Sequence, residues 1–110
     1  MNRDYSDFID DIKINIDKIE KFVKGVDFEA FKKDDKTNYA VVRCLEIIGE
    51  ASKHIPDEIR EKYPEIPWRK TAGMRDKISH FYWGIDLKIV WDVIQYDIQE
   101  LKKSINEVII

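Results

Sequence analysis

Residues 39–51 read YAVVRCLEIIGEA, and this stretch is apolar on almost every side of a helix. A helix that is hydrophobic all round is buried by neighbouring elements on several sides. The pattern therefore predicts a central helix that begins near Thr37 and runs to about Lys53. The remaining elements of the fold are expected to pack around it.

A line of polar residues runs along this same helix. Arg43, Glu46, Glu50 and His54 follow one another at i, i+3, i+7 and i+11, which places them on one narrow strip. One interpretation is a solvated seam of ordinary surface neighbours. The other, favoured for Glu46 and Glu50 because they interrupt the most apolar run of the chain, is that they face a cleft or the third helix.

A metal site is the next possibility for these two carboxylates. Two carboxylates on one helix are half of a di-metal bundle site, which also needs Glu-x-x-His on two other helices. The chain has no such motif, and its two histidines are His54 and His80. We therefore expect no metal.

The stretches before and after the central helix predict further helices. Residues 5–23 repeat apolar side chains at the spacing of one helical face, and Gly25 suits the end of this helix because glycine tolerates a left-handed cap. Asp27 is placed to cap a short helical turn that follows. A second short helix is expected to begin at Pro56 and to stop before Pro64.

Two more long helices complete the predicted architecture. Pro67 opens a third helix, which should continue through WRKTAGMRDKISHFY (68–82) until Gly84 breaks it. Asp86 is a good N-cap for a fourth helix over residues 87–105. Four long helices with short connections predict an all-α fold, an antiparallel four-helix bundle with one or two extra short helices.

Composition limits the class of protein. The 110 residues are predicted to form a single domain, 1–110, with a formal charge of -3, so there is no whole-protein basic field and any RNA contact has to be local. Cys44, the one cysteine, lies in an apolar run and is expected to be a small buried hydrophobe. The acidic N-terminus and the absence of a membrane-length apolar stretch predict a cytoplasmic protein without a membrane partner.

The fourth helix carries more apolar surface than one packing partner needs. Besides its main stripe it has a second one, formed by Ile89, Val93 and Tyr96. A helix packed on one side needs one stripe, so we expect the second to be covered by another copy of the chain in a homodimer. Packing against the short helix within residues 56–63 is the alternative.

The most suggestive chemistry lies at Arg75-x4-His80-x-Tyr82. Histidine passes protons near neutral pH, and arginine binds phosphate as a bidentate fork. Such a pair suits a phosphodiester without a metal, although a lone histidine beside aromatics is often only a core residue. In a straight helix Arg75 and His80 are about 140° apart, so they converge only if the helix loosens near His80 or two copies meet.

The surrounding sequence resembles a known family. IPWRKTAGMRDKISHFYWGIDLKIVWDVI (66–94) is similar to the signature region of the HepT-like proteins, a branch of the HEPN superfamily whose hallmark is Arg-x4-His-x-Tyr. The stretch RCLEIIGEASKHIP (43–56) fits as well. Motif and flanking blocks occur in the same order, and the resemblance extends from about Tyr39 to the end of the chain.

The resemblance implies a metal-independent endoribonuclease without a cofactor, with Arg75 and His80 as catalytic residues in a composite cleft of a homodimer. It also implies the toxin of a type VII-like toxin–antitoxin pair that cuts RNA. Its partner would be a nucleotidyltransferase antitoxin, MntA-like, that silences the toxin by AMPylation of Tyr82. Glu46, Glu50 and Asp76 are expected to support the cleft.

Alternatives remain open for the role of Asp76 and for the function of the chain. Many relatives carry Asn after the motif arginine, whereas this chain has Asp76, whose charge would either weaken the hold of Arg75 on phosphate or orient it. The other functional hypotheses are a non-catalytic subunit that binds a nucleotidyltransferase through the same cleft, and a plain helical interaction module in which Arg75 and His80 are structural.

Overall fold

A computed structural model describes residues 4–79 and 84–108 of the chain. The predicted all-α bundle is confirmed, since every regular element in these ranges is helical. No helix there is long and apolar enough to cross a membrane. The elements in chain order are α1 (Tyr5–Val23), α2 (Phe28–Lys33), α3 (Asp35–Lys53), α4 (Asp57–Lys62), α5 (Trp68–Ala72), α6 (Met74–Ile78), α7 (Leu87–Asp92), a π-helical turn (Val93–Asp97) and α8 (Ile98–Ile105).

Helix α3 is the centre of the molecule, as its sequence predicts. Leu45 and Ile48 are completely buried, α1 packs along one side of the helix, and α5 and α6 pack along another. Phe8 near the start of α1 stacks on His54 at the end of α3, so these two helices are antiparallel. The interior glycine of α3, Gly49, faces the α5–α6 junction, where an added Cβ would lie 3.5 Å from the Thr71 carbonyl oxygen.

The predicted end of α1 and the predicted starts of α2 and α7 agree with the structure, whereas α3 begins at Asp35, two residues before the predicted Thr37. Gly25 follows α1 with a left-handed φ of 73°. The Asp27 carboxylate accepts a hydrogen bond from the Ala30 N–H at the start of α2. Asp86 accepts bonds from the backbone N–H groups of Lys88 and Ile89 at the start of α7.

The prediction of one continuous third helix through residue 82 is wrong. The helix is divided at Gly73 into α5 and α6, because glycine weakens a helix interior. Helix α6 then ends at Ile78, where Ser79 turns to an extended conformation and forms an antiparallel bridge with Ile85. His80, Phe81, Tyr82 and Trp83 lie outside the described residues.

The fourth helix contains an irregularity that its apolar pattern did not reveal. Five residues, Val93–Asp97, form a π-helical turn, whose i→i+5 bonds interrupt the regular α-helical register. Val93, which belongs to the second apolar stripe, packs in the core of its own chain and is therefore covered within the bundle, not by another copy. Ile89 is partly buried against the same core, and Tyr96 alone of that stripe is strongly exposed.

The core is apolar and continuous around α3. Phe31 of α2 packs against Trp91 of α7, with ring centroids 5.1 Å apart. Cys44 is buried as predicted, and burial raises the pKa of its thiol. A buried thiol with a raised pKa is a packing group and not a reactive nucleophile.

Candidate active site

The sequence-predicted site residues divide into two groups. Arg75 and Asp76 on α6 and Glu46 and Glu50 on α3 lie in the described part of the structure. His80 and Tyr82 do not, so their roles remain predictions from the sequence. The geometry below concerns the surface that the first group forms.

Arg75 and Glu46 are brought together from two different helices. The Nε atom of Arg75 lies 3.6 Å from Oε2 of Glu46. The arginine side chain is 69% exposed and the glutamate side chain 31%, so the guanidinium remains open to solvent while one of its sides faces a carboxylate. The α6 helix needs this kind of tertiary contact, since a five-residue helix is not stable by itself.

Glu50 has a different environment from Glu46. Its carboxylate lies 3.5 Å from Nε2 of His54 and 3.9 Å from Nζ of Lys53, both on its own helix. The His54 ring in turn stacks on Phe8, with centroids 4.7 Å apart. The polar line on α3 thus contacts α6 at Glu46 and α1 at His54, and Glu50 lies between the two contacts.

Three surface depressions adjoin this line, and Glu46 borders all of them. The largest, of about 540 Å³, reaches from Tyr39 to Gly84 and Ile85. A second, of about 320 Å³, extends toward Phe8 and His54, and a third, of about 240 Å³, lies between Glu46, Glu50 and Arg75. Asp76 is exposed and is not among the described residues that border these depressions.

The residues on either side of segment 80–83 meet beside the same surface. Ser79 forms its bridge with Ile85, and the Asp86 N–H donates a 3.0 Å hydrogen bond to the Ile78 carbonyl. Gly84 has a left-handed φ of 102°, which glycine adopts without strain. Segment 80–83 therefore follows the end of α6, and the residues directly after it, Gly84 and Ile85, border the largest depression.

Sequence reasoning missed one charged cluster next to α6. Asp97 in the π-helical turn is buried, and its carboxylate lies 2.8 Å from Nζ of Lys77 and 3.5 Å from Nζ of Lys70. A hydrogen bond to Glu100, and then the charge of Asp97, raise the pKa of Lys70. A signal was available, because Asp97 lies between Ile94 and Leu101 on the core face of its helix, where a charged residue is unusual.

Comparison with known proteins gives consistent matches. A family profile described as Ribonuclease HepT-like matches residues 12–108. A Methanocaldococcus jannaschii protein, provisionally named an RNase, is 49% identical over 107 residues, covering 97% of this chain and 92% of that protein. The probable ribonuclease HepT of Thermococcus cleftensis is 48% identical over 102 residues, covering 93% of each chain. No solved structure gives a significant match.

Proposed function

The chain belongs to the HepT-like ribonuclease family, and on this premise we propose that it is an endoribonuclease that cuts RNA without a metal ion. The observation that carries the proposal is the solvent-exposed guanidinium of Arg75, which Glu46 holds at the border of a depression. An exposed arginine in a concave surface is a binding group for a phosphodiester. His80 follows five residues later in the chain.

The proposed reaction uses both residues at one phosphate. A base, His80, removes the proton from a ribose 2′-OH, whose oxygen then attacks the adjacent phosphorus. The bond from phosphorus to the 5′-oxygen breaks, and that oxygen leaves with a proton supplied by an acid. Arg75 balances the negative charge that grows on the phosphoryl oxygens in the transition state.

Metal independence is supported by the surroundings of the two α3 carboxylates. Glu46 faces Arg75, and Glu50 faces His54 and Lys53, so each is an ion-pair partner of a basic side chain. Carboxylates used in this way neutralise or orient cations of the protein itself. We therefore assign to Arg75 the charge-stabilising role that a divalent ion has in other nucleases.

His80→Ala tests the catalytic assignment. Removing a general acid or base should lower the RNA cleavage rate by about 10²–10⁴-fold, and cleavage by the wild type should persist in EDTA. His54→Ala, the other histidine, is the control, because it removes the ring contact with Phe8 and the contact with Glu50, neither of which the proposed reaction uses, and should leave the rate unchanged. Wild-type cleavage rates in purified His80→Ala, or loss of cleavage in EDTA, would contradict the proposal.

We further propose that the enzyme is the toxin of a toxin–antitoxin pair, and that a nucleotidyltransferase antitoxin adds AMP to Tyr82. In that step the Tyr82 oxygen attacks the α-phosphorus of ATP, pyrophosphate leaves and the phenolic proton is released. The adduct would bring negative charge and bulk next to Arg75. An RNA phosphate would then be excluded by competition for the same guanidinium.

Co-expression with the nucleotidyltransferase followed by peptide mass spectrometry tests this step. We expect AMP-sized additions on the peptide that contains Tyr82, and none in Tyr82→Phe. Tyr39→Phe is a matched control, because Tyr39 is an exposed tyrosine on the largest depression and its loss should leave the modification in place. An unmodified Tyr82 in an inactive complex would mean that the partner silences the toxin by binding alone.

A further inference from the structure

A buried carboxylate connects the last helical region to both halves of the divided third helix. The Asp97 side chain is only 9% exposed, and it lies within 4 Å of Lys77 on α6 and of Lys70 on α5. A buried carboxylate is costly unless cations and hydrogen bonds compensate it. Here the 2.8 Å contact from Lys77 Nζ to Asp97 Oδ2 is a hydrogen bond between charged groups.

The two lysines are seven residues apart, with the Gly73 junction between them. Helices α5 and α6 have five residues each, so neither is stable alone and tertiary contacts set their orientation. Buried Trp68, Met74 and Ile78 supply non-directional packing. The Asp97 carboxylate adds a directional contact, because it binds one side chain from each half of the broken helix.

Arg75 lies on the same short helix as Lys77, two positions earlier. Residues two apart on an α-helix point about 200° away from each other. Helix α6 is accordingly held from two sides, by Glu46 of α3 through Arg75 and by Asp97 through Lys77. A rotation of α6 about its axis would break both contacts together.

We propose that Asp97 is a positioning residue for the RNA cleavage reaction. Through Lys70 and Lys77 it fixes the orientation of α6 in which the Arg75 guanidinium faces Glu46 and the adjoining depressions. This inference rests on the proposed ribonuclease function. It does not place Asp97 in contact with RNA.

The test compares Asp97→Asn with Asp92→Asn in the full chain. Asp92 is a matched control, because it lies on the preceding turn and forms an exposed ion pair, 3.2 Å, with Lys88. We expect Asp97→Asn to lower kcat by up to about 100-fold, the order of loss that a small misplacement of a reacting group causes. KM should rise by a smaller factor, because Arg75 also binds the phosphate, and Tm should change little. Lys77→Gln should lower kcat to a similar extent, and Lys77→Arg, which keeps the charge, should have a kcat close to that of the wild type.

Amide hydrogen exchange supplies a readout that does not depend on cleavage. In Asp97→Asn, exchange at residues 74–79 should become faster, while exchange in α1 stays as in the wild type. A wild type that does not cut RNA would refute the proposed function, and the exchange measurement would still test the contact. If the wild type cuts RNA and Asp97→Asn has an unchanged kcat, or a kcat lowered only in proportion to its folded fraction, the positioning role is refuted.

Discussion

Arg75 has a carboxylate neighbour where the proposed reaction requires a phosphate. A guanidinium binds either group through the same N–H donors, so Glu46 and an RNA phosphate compete for part of Arg75. The 3.6 Å separation and the exposure of Arg75 indicate a weak pair. Under the proposed function, Glu46 would therefore orient the arginine in the free protein at a small cost in RNA affinity.

Glu46→Gln should strengthen RNA binding. Exposed ion pairs contribute about 0.2–1 kcal/mol, so removing the competing charge should lower the RNA Kd by up to about fivefold. The measurement belongs in a His80→Ala background, where RNA stays intact. Glu20→Gln is the control, since Glu20 is also ion-paired, to Lys102, and its side chain is 33% exposed against 31% for Glu46. A higher Kd in Glu46→Gln would mean that orientation of Arg75 by Glu46 outweighs competition between Glu46 and the RNA phosphate.

Residue-level roles were predictable only where the sequence isolates a polar group. Glu46 stands out because it interrupts an apolar run, and the structure places it against α6. Asp97 was overlooked, although it lies on a core face, because its partners Lys70 and Lys77 are distant in sequence and look like ordinary surface lysines. Such pairings depend on how helices pack, which the spacing of apolar residues does not specify.

At the scale of elements, the central helix begins two residues earlier than the predicted Thr37, because Asp34 caps it. Asp34 accepts a 2.6 Å hydrogen bond from the Thr37 hydroxyl and a 3.2 Å bond from the Thr37 N–H at the start of α3. These bonds, the hydroxyl first, lower the pKa of the Asp34 carboxyl from its ordinary value. The ionised cap thus stabilises the beginning of the central helix.

The pH dependence of this cap has a definite sign. Because the pKa is lowered on folding, its contribution is present above the ordinary value of 3.8 and is lost as pH falls through the lowered value. Asp34→Ala should therefore lower Tm at pH 7, and the difference from the wild type should shrink below pH 3.8. Asp10→Ala, in the interior of α1, is the control. A difference in Tm that stays constant from pH 7 to pH 3 would contradict the capping role.

The irregular elements escaped prediction for a common physical reason. The break at Gly73 and the π-helical turn at Val93–Asp97 leave the apolar spacing almost unchanged, so periodicity continues across both. Gly73 permits the first break, and the packing of α5 and α6 on α3 gives it its geometry, while the π-helical turn contains the buried Asp97. Both irregularities adjoin α6, since Gly73 precedes this helix and Asp97 of the π-helical turn contacts Lys77 on it.

At the scale of the whole molecule, the apolar surface that supports a homodimer is not the one expected from the fourth helix. Val93 is in the core, so the second apolar stripe of the fourth helix is reduced to Tyr96, which is 71% exposed, and a partly buried Ile89. The exposed apolar side chains beside the largest depression are Tyr39 and Ile85. Ile85 is also bridged to Ser79 at the end of α6, which places the expected interface next to the motif segment.

We predict a dimer in solution whose interface includes Ile85. Multi-angle light scattering at micromolar concentration should give twice the mass of one chain. Ile85→Lys should raise the dimer Kd by at least about tenfold, because an ammonium group buried in an apolar interface is costly. Ile14→Lys is the matched control, since Ile14 is an equally large and similarly exposed isoleucine, on α1. A monomeric wild type would refute the dimer, and dissociation by Tyr96→Lys but not by Ile85→Lys would move the interface to the fourth helix.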